Sequence, residues 1–143
     1  MIVGTDDGPV FLFLRDAGES LHVRLAVGTA LGDVRVFDRD ASGMRTACAI
    51  VRAGGVTPSL VLVEEDRRGE TRSNTLATLR NLPELGSHRL VILGDGDDPD
   101  AERFAYEDGA DGFIALPRSA ADSTRLGEEI VRHVFVNRYW KTA

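Results

Sequence analysis

Apolar residues in this chain come either in short unbroken runs or at every third or fourth position over longer stretches. The runs Val10-Phe-Leu-Phe-Leu14, Leu60-Val-Leu-Val63 and Leu90-Val-Ile-Leu93 are continuous, which marks strands covered on both faces. Val34-Arg-Val-Phe37 and Gly112-Phe-Ile-Ala115 predict two shorter strands. Between them the spacing turns helical. Leu21, Leu25 and Gly28 share a face, with Gly32 as the stop. Met44, Ala47, Cys48 and Val51 fall at i, i+3, i+4 and i+7, and Gly54-Gly55 ends that stripe. Leu76, Leu79 and Leu82 outline a third helix. Asp98-Pro99 predicts the start of a fourth, with a capping acid and proline at the first helical position, running to Gly109. A last helix from about Ser119 carries Leu126, Ile130, Val131 and Val134.

Five apolar strands, each followed by a helix, demand a parallel sheet with helices on both faces. Right-handed crossovers leave few topologies, and the flavodoxin-like, doubly wound order 2-1-3-4-5 is the expected one. Sites in such sheets form beyond the carboxyl ends of the strands. Those ends are Arg15-Asp16, Glu64-Glu65-Asp66, Gly94-Asp95 and Leu116-Pro117.

A length of 143 residues fits one domain, read as 10–143 behind a flexible polar leader, Met1 to Pro9. The net charge of −6 argues against nucleic acid and anionic membranes as partners, because both require clustered positive charge. Nearly all the basic residues are arginine, with Lys141 the single lysine. The lone cysteine, Cys48, excludes an internal disulfide and a cysteine-based zinc site, and its place in an apolar stripe predicts a buried core thiol. No run approaches the roughly 20 apolar residues of a membrane span, and nothing resembles a signal peptide, so a cytoplasmic location is expected. His22, His88 and His133 are scattered and predict no metal site. Asp95, Asp97, Asp98 and Asp100 crowd one loop, but Pro99 breaks the calcium-loop pattern, leaving capping and solvation as their roles. No Gly-x-Gly-x-x-Gly follows the first strand, so a dinucleotide has no support.

Three segments carry a family resemblance. Pro58-Ser-Leu-Val-Leu-Val-Glu64, Leu90-Val-Ile-Leu-Gly94 and Gly109-Ala-Asp-Gly-Phe-Ile-Ala-Leu-Pro117 resemble the third, fourth and fifth strands of response-regulator receivers. The likeness runs from Val10 to Trp140. Tyr139-Trp140 near the end and Leu79-Arg-Asn-Leu-Pro-Glu-Leu85 are similar to the phytochrome-associated single-domain subgroup. The resemblance assigns roles by position. The acid pair after the first strand becomes Arg15 and Asp16, and the phosphoacceptor aspartate becomes Glu64. The hydroxyl residue becomes Gly94 and the lysine Leu116, while Pro117 is retained. Phe113 takes the aromatic switch position, and Arg68 replaces a loop proline.

Each departure weakens phosphoryl transfer. Mg²⁺ requires near-ideal octahedral oxygen donors, which a guanidinium at position 15 spoils. Glu64 is one methylene too long, and a nucleophile misplaced by about 1 Å loses roughly 100-fold in rate. Leu116 brings no charge and Gly94 no hydroxyl to the phosphoryl group. The expectation is therefore a degenerate receiver that works by protein contact, with no catalytic residue, no cofactor and weak or absent Mg²⁺ binding. Two alternatives stay open: a phosphorelay receiver weakly phosphorylated on Glu64, and a flavodoxin-like domain that binds a small ligand. Asp66 makes a poor substitute acceptor because it sits out on the loop.

Arg15 and Glu64, at neighbouring strand ends, are read either as an ion pair that holds one fixed state or as a decayed pocket with Glu64 in solvent. Phe135, Val136, Tyr139 and Trp140 continue an apolar stripe beyond what the sheet needs, which predicts an interface, with folding back on the domain's own surface as the alternative; the resemblance to the phytochrome-associated subgroup implies a two-fold homodimer through the C-terminal face. No DNA-binding segment follows, so output is expected by protein contact; the resemblance implies that its surface is the fourth helix, fifth strand and fifth helix, with Phe113 and the Tyr139-Trp140 tail in it. The resemblance implies a signalling partner such as a histidine kinase or bacteriophytochrome.

Overall fold

Side chains on a strand alternate between faces, so an unbroken apolar run needs cover on both. All five residues of strand β1 (Val10–Leu14) are buried. The computed structural model describes residues 8–15, 27–28, 33–54, 56–65, 75–86, 88–116 and 125–132. Around β1 lie β2 (Val34–Asp38), β3 (Leu60–Glu64), β4 (Leu90–Asp95) and β5 (Gly112–Leu116). All are parallel, in the order β2-β1-β3-β4-β5 that the pattern predicts. The registers Leu12↔Leu62, Leu62↔Val91 and Val91↔Gly112 align β1, β3, β4 and β5.

Alternation divides the core in two. One layer joins Leu12, Leu14, Leu62, Leu93 and Ile114 to Val27, Leu126 and Ile130. The other joins Phe11, Phe13, Val63 and Ile92 to Met44, Cys48, Leu79 and Ala105 from the helices Ala41–Arg52, Thr75–Arg80 and Ala101–Glu107. Phe37 stacks its ring on Phe13 at 5.3 Å between centroids, which seals the outer side of that layer near β2.

Helix starts and stops follow local chemistry. The Asp40 side chain accepts the Gly43 N–H at 2.8 Å and caps Ala41–Arg52. Gly43 lies so close to the Asp38 carbonyl that a Cβ has no room. At the other end Gly54 turns the chain at φ +83°, a conformation that favours glycine. Met44, Ala47 and Cys48 are buried as the stripe predicts, and Val51 is half-buried.

Two helices differ from expectation. Thr75–Arg80 stops short of Leu82, because Pro83 disfavours helical backbone at the residue before it. The fourth helix begins at Ala101 and ends at Glu107, not at Asp98-Pro99 and Gly109. Asp98 builds a turn instead of a cap: its Oδ1 accepts the Asp100 N–H at 3.0 Å and its carbonyl accepts the Ala101 N–H at 3.2 Å. Gly8 and Pro9, the end of the expected leader, are tied down. The Pro9 carbonyl accepts the Ser59 N–H at 2.9 Å, and Gly8 (φ +120°) leaves no space for a Cβ beside the Thr57 carbonyl.

Candidate functional site

β1 and β3 are neighbours, so their carboxyl ends bring residue 15 and Glu64 together. Glu64 is only 7% exposed, which overturns the reading of it as a solvent-facing remnant. A buried carboxylate needs hydrogen-bond donors. Glu64 Oε1 accepts the main-chain N–H of Arg15 at 2.8 Å. The Glu64 main-chain carbonyl accepts from the Arg39 guanidinium at 2.7 Å. Arg39 in turn donates its own N–H to the Leu14 carbonyl at 2.9 Å, continuing the β1–β2 ladder by one residue. Glu65 N–H donates to the Leu93 carbonyl at 2.8 Å, which closes the β3–β4 edge. Two charged side chains thus satisfy backbone groups at the ends of the central strands.

Arg39 escapes a reading built on family positions, since none is assigned there. The signal for it was available: an arginine directly after a strand adjacent to β1 reaches across that strand's end.

Gly94 sits in β4 opposite Ala115, and Phe113 lies opposite Ile92, one pleat back. The Phe113 ring leans across β4. A Cβ on Gly94 would come 2.5 Å from Phe113 Cε2 and 3.0 Å from Cζ, closer than carbon atoms approach. Gly94 is therefore more than a missing hydroxyl, because the ring fills the place of a side chain there. Leu116 pairs with Asp95 and packs, half-buried, against the first core layer. The expected site residues Asp16 and Pro117 lie outside the described residues, as do Asp66, Arg68 and the interface candidates Phe135, Val136, Tyr139 and Trp140.

Among the described residues no group of three or more His, Cys, Asp or Glu side chains is placed to hold a metal ion. The crowded aspartates serve local roles instead: Asp98 makes its turn and Asp100 pairs with Arg103 at 3.0 Å. No helix of the described residues is long and apolar enough to cross a membrane.

A groove of about 450 Å³ runs beside β5 and the helical residues 125–132. Phe113, Ala115 and Leu116 form its floor with Leu126, and Asp97, Glu102, Arg125 and Glu129 carry charge around it. Phe113 thus belongs to two places at once, against Gly94 on one side and in the groove on the other.

The most densely bonded polar cluster lies at the opposite end of the sheet. The Arg80 guanidinium donates to the carbonyls of Gly86 (3.1 Å), His88 (3.0 Å) and Gly109 (2.7 Å) and to Asp111 Oδ2 (2.7 Å). Asp111 Oδ2 also accepts the Leu90 N–H at 2.9 Å, so one arginine ties together the starts of β4 and β5. Arg89 beside it is buried, and burial pushes its guanidinium pKa below the usual value against the opposing effect of Asp111 and Tyr106. Cys48 is buried in the second core layer as expected. Burial pushes its thiol pKa up, with a hydrogen bond to Glu84 acting in the same direction.

No protein-family model matches the chain, and no curated protein matches it by sequence. Solved structures do. The Mn²⁺-bound form of response regulator Rcp1 is 17% identical with a TM-score of 0.60, over 86% of this chain and 91% of that one. The phosphorylated cyanobacterial phytochrome response regulator RcpA is 18% identical, also with a TM-score of 0.60, over 86% of this chain and 90% of that one. A response regulator in red-light signalling of R. palustris is 16% identical with a TM-score of 0.61, over 85% and 90% of the two chains. With its five parallel strands in the order 2-1-3-4-5, the chain has the fold of the response-regulator receiver domains.

Proposed function

We propose that this chain is a signalling module of receiver fold that acts by binding other proteins and does not turn over a phosphoryl group. The observation that carries the reading is the state of Glu64: a buried carboxylate with Oε1 engaged by the Arg15 main-chain N–H at 2.8 Å. A nucleophile must present an oxygen in line with the donor, and the Arg15 N–H occupies one of the two that Glu64 has. The surrounding positions support the same reading. Gly94 supplies no hydroxyl, Leu116 no cation, and Arg15 replaces a carboxylate that a divalent ion would need, so Mg²⁺ binding is weak or absent. No residue is assigned a catalytic role.

Output passes through the groove on β5 and the helical residues 125–132, with Phe113 in its floor. The phytochrome response regulator and the red-light signalling regulator among the similar structures support a phytochrome-linked partner, and the family resemblance supports a histidine kinase. Phe135, Tyr139 and Trp140 form a homodimer contact in this reading.

Intact mass after incubation with acetyl phosphate and Mg²⁺ tests it, with Glu64→Gln as control. No added phosphoryl mass is expected in either protein. A gain in the wild type that Glu64→Gln abolishes would establish the weakly phosphorylated receiver instead. Charge reversal at Glu102 and Glu129 tests the groove separately, by pull-down of the kinase or phytochrome candidate: binding should fall at least tenfold, and unchanged binding excludes this face.

A further inference from the structure

The pairing of β1 with β3 ends one rung before its neighbours do. β1 runs beside β2 as far as Leu14↔Asp38, and β3 runs beside β4 as far as Glu64↔Leu93. Between β1 and β3 the last pair is Phe13↔Val63. In a parallel ladder of that register the next bond would join the Arg15 N–H to the Glu64 main-chain carbonyl. Each of those two groups is bonded elsewhere. The N–H goes to Glu64 Oε1 at 2.8 Å, and the carbonyl accepts from the Arg39 guanidinium at 2.7 Å. Two side-chain bonds stand in place of one backbone rung.

The two bonds depend on each other. A sheltered N–H must find an acceptor, and with the Glu64 carbonyl held by Arg39 the Arg15 amide finds the Glu64 carboxylate, which is itself buried. Charge also decides which arrangement wins. Both side-chain bonds involve an ionised partner, and such bonds are roughly twice as strong as the neutral rung they displace. Arg39 is well placed for its part. Its own N–H donates to the Leu14 carbonyl at 2.9 Å, and the next residue, Asp40, caps the helix Ala41–Arg52. A guanidinium launched from so fixed a stem gives up little freedom on bonding.

We propose that Arg39 is a positioning residue for Glu64: it holds the last β1–β3 rung open and so keeps the carboxylate on the Arg15 N–H. Without the guanidinium the rung closes, and the carboxylate is released from the main chain. The strand end has two arrangements, and Arg39 selects one of them. The rung stands on geometry alone. Its meaning, that Arg39 withholds Glu64 from phosphoryl chemistry, rests on the functional reading given above.

NMR couplings across hydrogen bonds identify the acceptor of the Arg15 amide, because the carboxyl and main-chain carbons of Glu64 resonate apart. In the wild type the coupling should run to the carboxyl carbon, and in Arg39→Met to the main-chain carbonyl. A coupling that stays on the carboxyl carbon in Arg39→Met overturns the proposal. Amide exchange adds an arm that keeps Arg39. Glu64→Ala removes the carboxylate while Arg39 still holds the carbonyl, so the Arg15 amide should exchange about tenfold faster relative to that of Leu62. Unchanged exchange would mean that the rung closes with Arg39 in place, and it also overturns the proposal. Adding Arg39→Met to Glu64→Ala should restore most of the protection, since the rung can then close. A merely structural Arg39 gives the opposite, because two independent losses add. Phosphoryl mass on the wild type would sink the functional reading and leave the rung as described.

Discussion

The two ends of the sheet handle charge in opposite ways. At the amino end, one arginine gathers three carbonyls and one carboxylate, and that carboxylate also holds the first N–H of β4. At the carboxyl end, Glu64 closes β3 and Arg39 directly follows β2, the two strands that flank β1, and each is bonded to a main-chain group of another segment. The first arrangement pins loops that would otherwise leave carbonyls short of donors. The second places a carboxylate where the fold offers a pocket and then occupies one of its oxygens. At both ends of the same fold, charged side chains thus satisfy main-chain groups of other segments.

The sharpest way to break this comparison is at the amino end. Arg80→Ala removes every bond of the hub and leaves the Gly86 and His88 carbonyls without their charged donor. The Arg80 bonds to Gly86 and His88 are part-buried, and those to Gly109 and Asp111 lie at the surface. A loss of about 3 kcal/mol in urea unfolding is expected. Arg80→Lys should recover less than half, because an ammonium cannot reproduce the planar fork. A loss below about 1 kcal/mol would put the two ends on equal terms.

At the carboxyl end the paired variants Glu64→Leu and Glu64→Gln separate shape from charge. Leucine leaves the Arg15 N–H without its acceptor, and a loss of about 1–2 kcal/mol should follow. Glutamine keeps an oxygen in the same place and should cost under about 1 kcal/mol. A glutamine variant as unstable as the leucine one would mean that the charge itself is needed there.

The smallest effect comes from the middle of the molecule and serves as a control. The folded state raises the Cys48 thiol pKa, so it keeps a proton that the unfolded chain loses at higher pH. Stability from this group is full below the ordinary thiol pKa of about 8.5 and falls as pH rises above it. Against Cys48→Ala, the wild type should lose at most about 1 kcal/mol near pH 9 by urea unfolding. Carboxylates and guanidinium groups generally keep their charge across that range. A slope that persists in Cys48→Ala would therefore have its origin elsewhere.

Much of the fold was legible because burial on both faces leaves a simple mark. β1, β3 and the start of β4 are runs of large apolar residues, and the stripe from Met44 to Cys48 has one period. Where apolar residues stop deciding, the reading was poorer. Gly94-Asp95 extends β4 by ladder hydrogen bonds that carry no apolar signature, and Asp98 turned out to shape a turn, not a cap. The Arg80 hub joins residues up to 31 positions apart in sequence, a relation that no local pattern contains. At the site, Glu64 was recognisable as a strand-end carboxylate. Its main-chain partner was not, because the nearness of residue 15 depends on the pairing of β1 with β3. Gly94 was noticed for what it lacked, and only the three-dimensional packing reveals what replaced it.

In the proposed reading, the position of the Phe113 ring also governs how easily phosphoryl chemistry could be introduced. An acid at 15, Asp at 64, a hydroxyl at 94 and Lys at 116 would all be needed for the receiver pattern to be whole. A threonine or serine introduced at 94 meets the ring before it meets any phosphoryl group, so that step is penalised on arrival. The order of substitutions then matters: the ring has to turn aside or be trimmed before a side chain at 94 fits, so each replacement is judged against the ones already made.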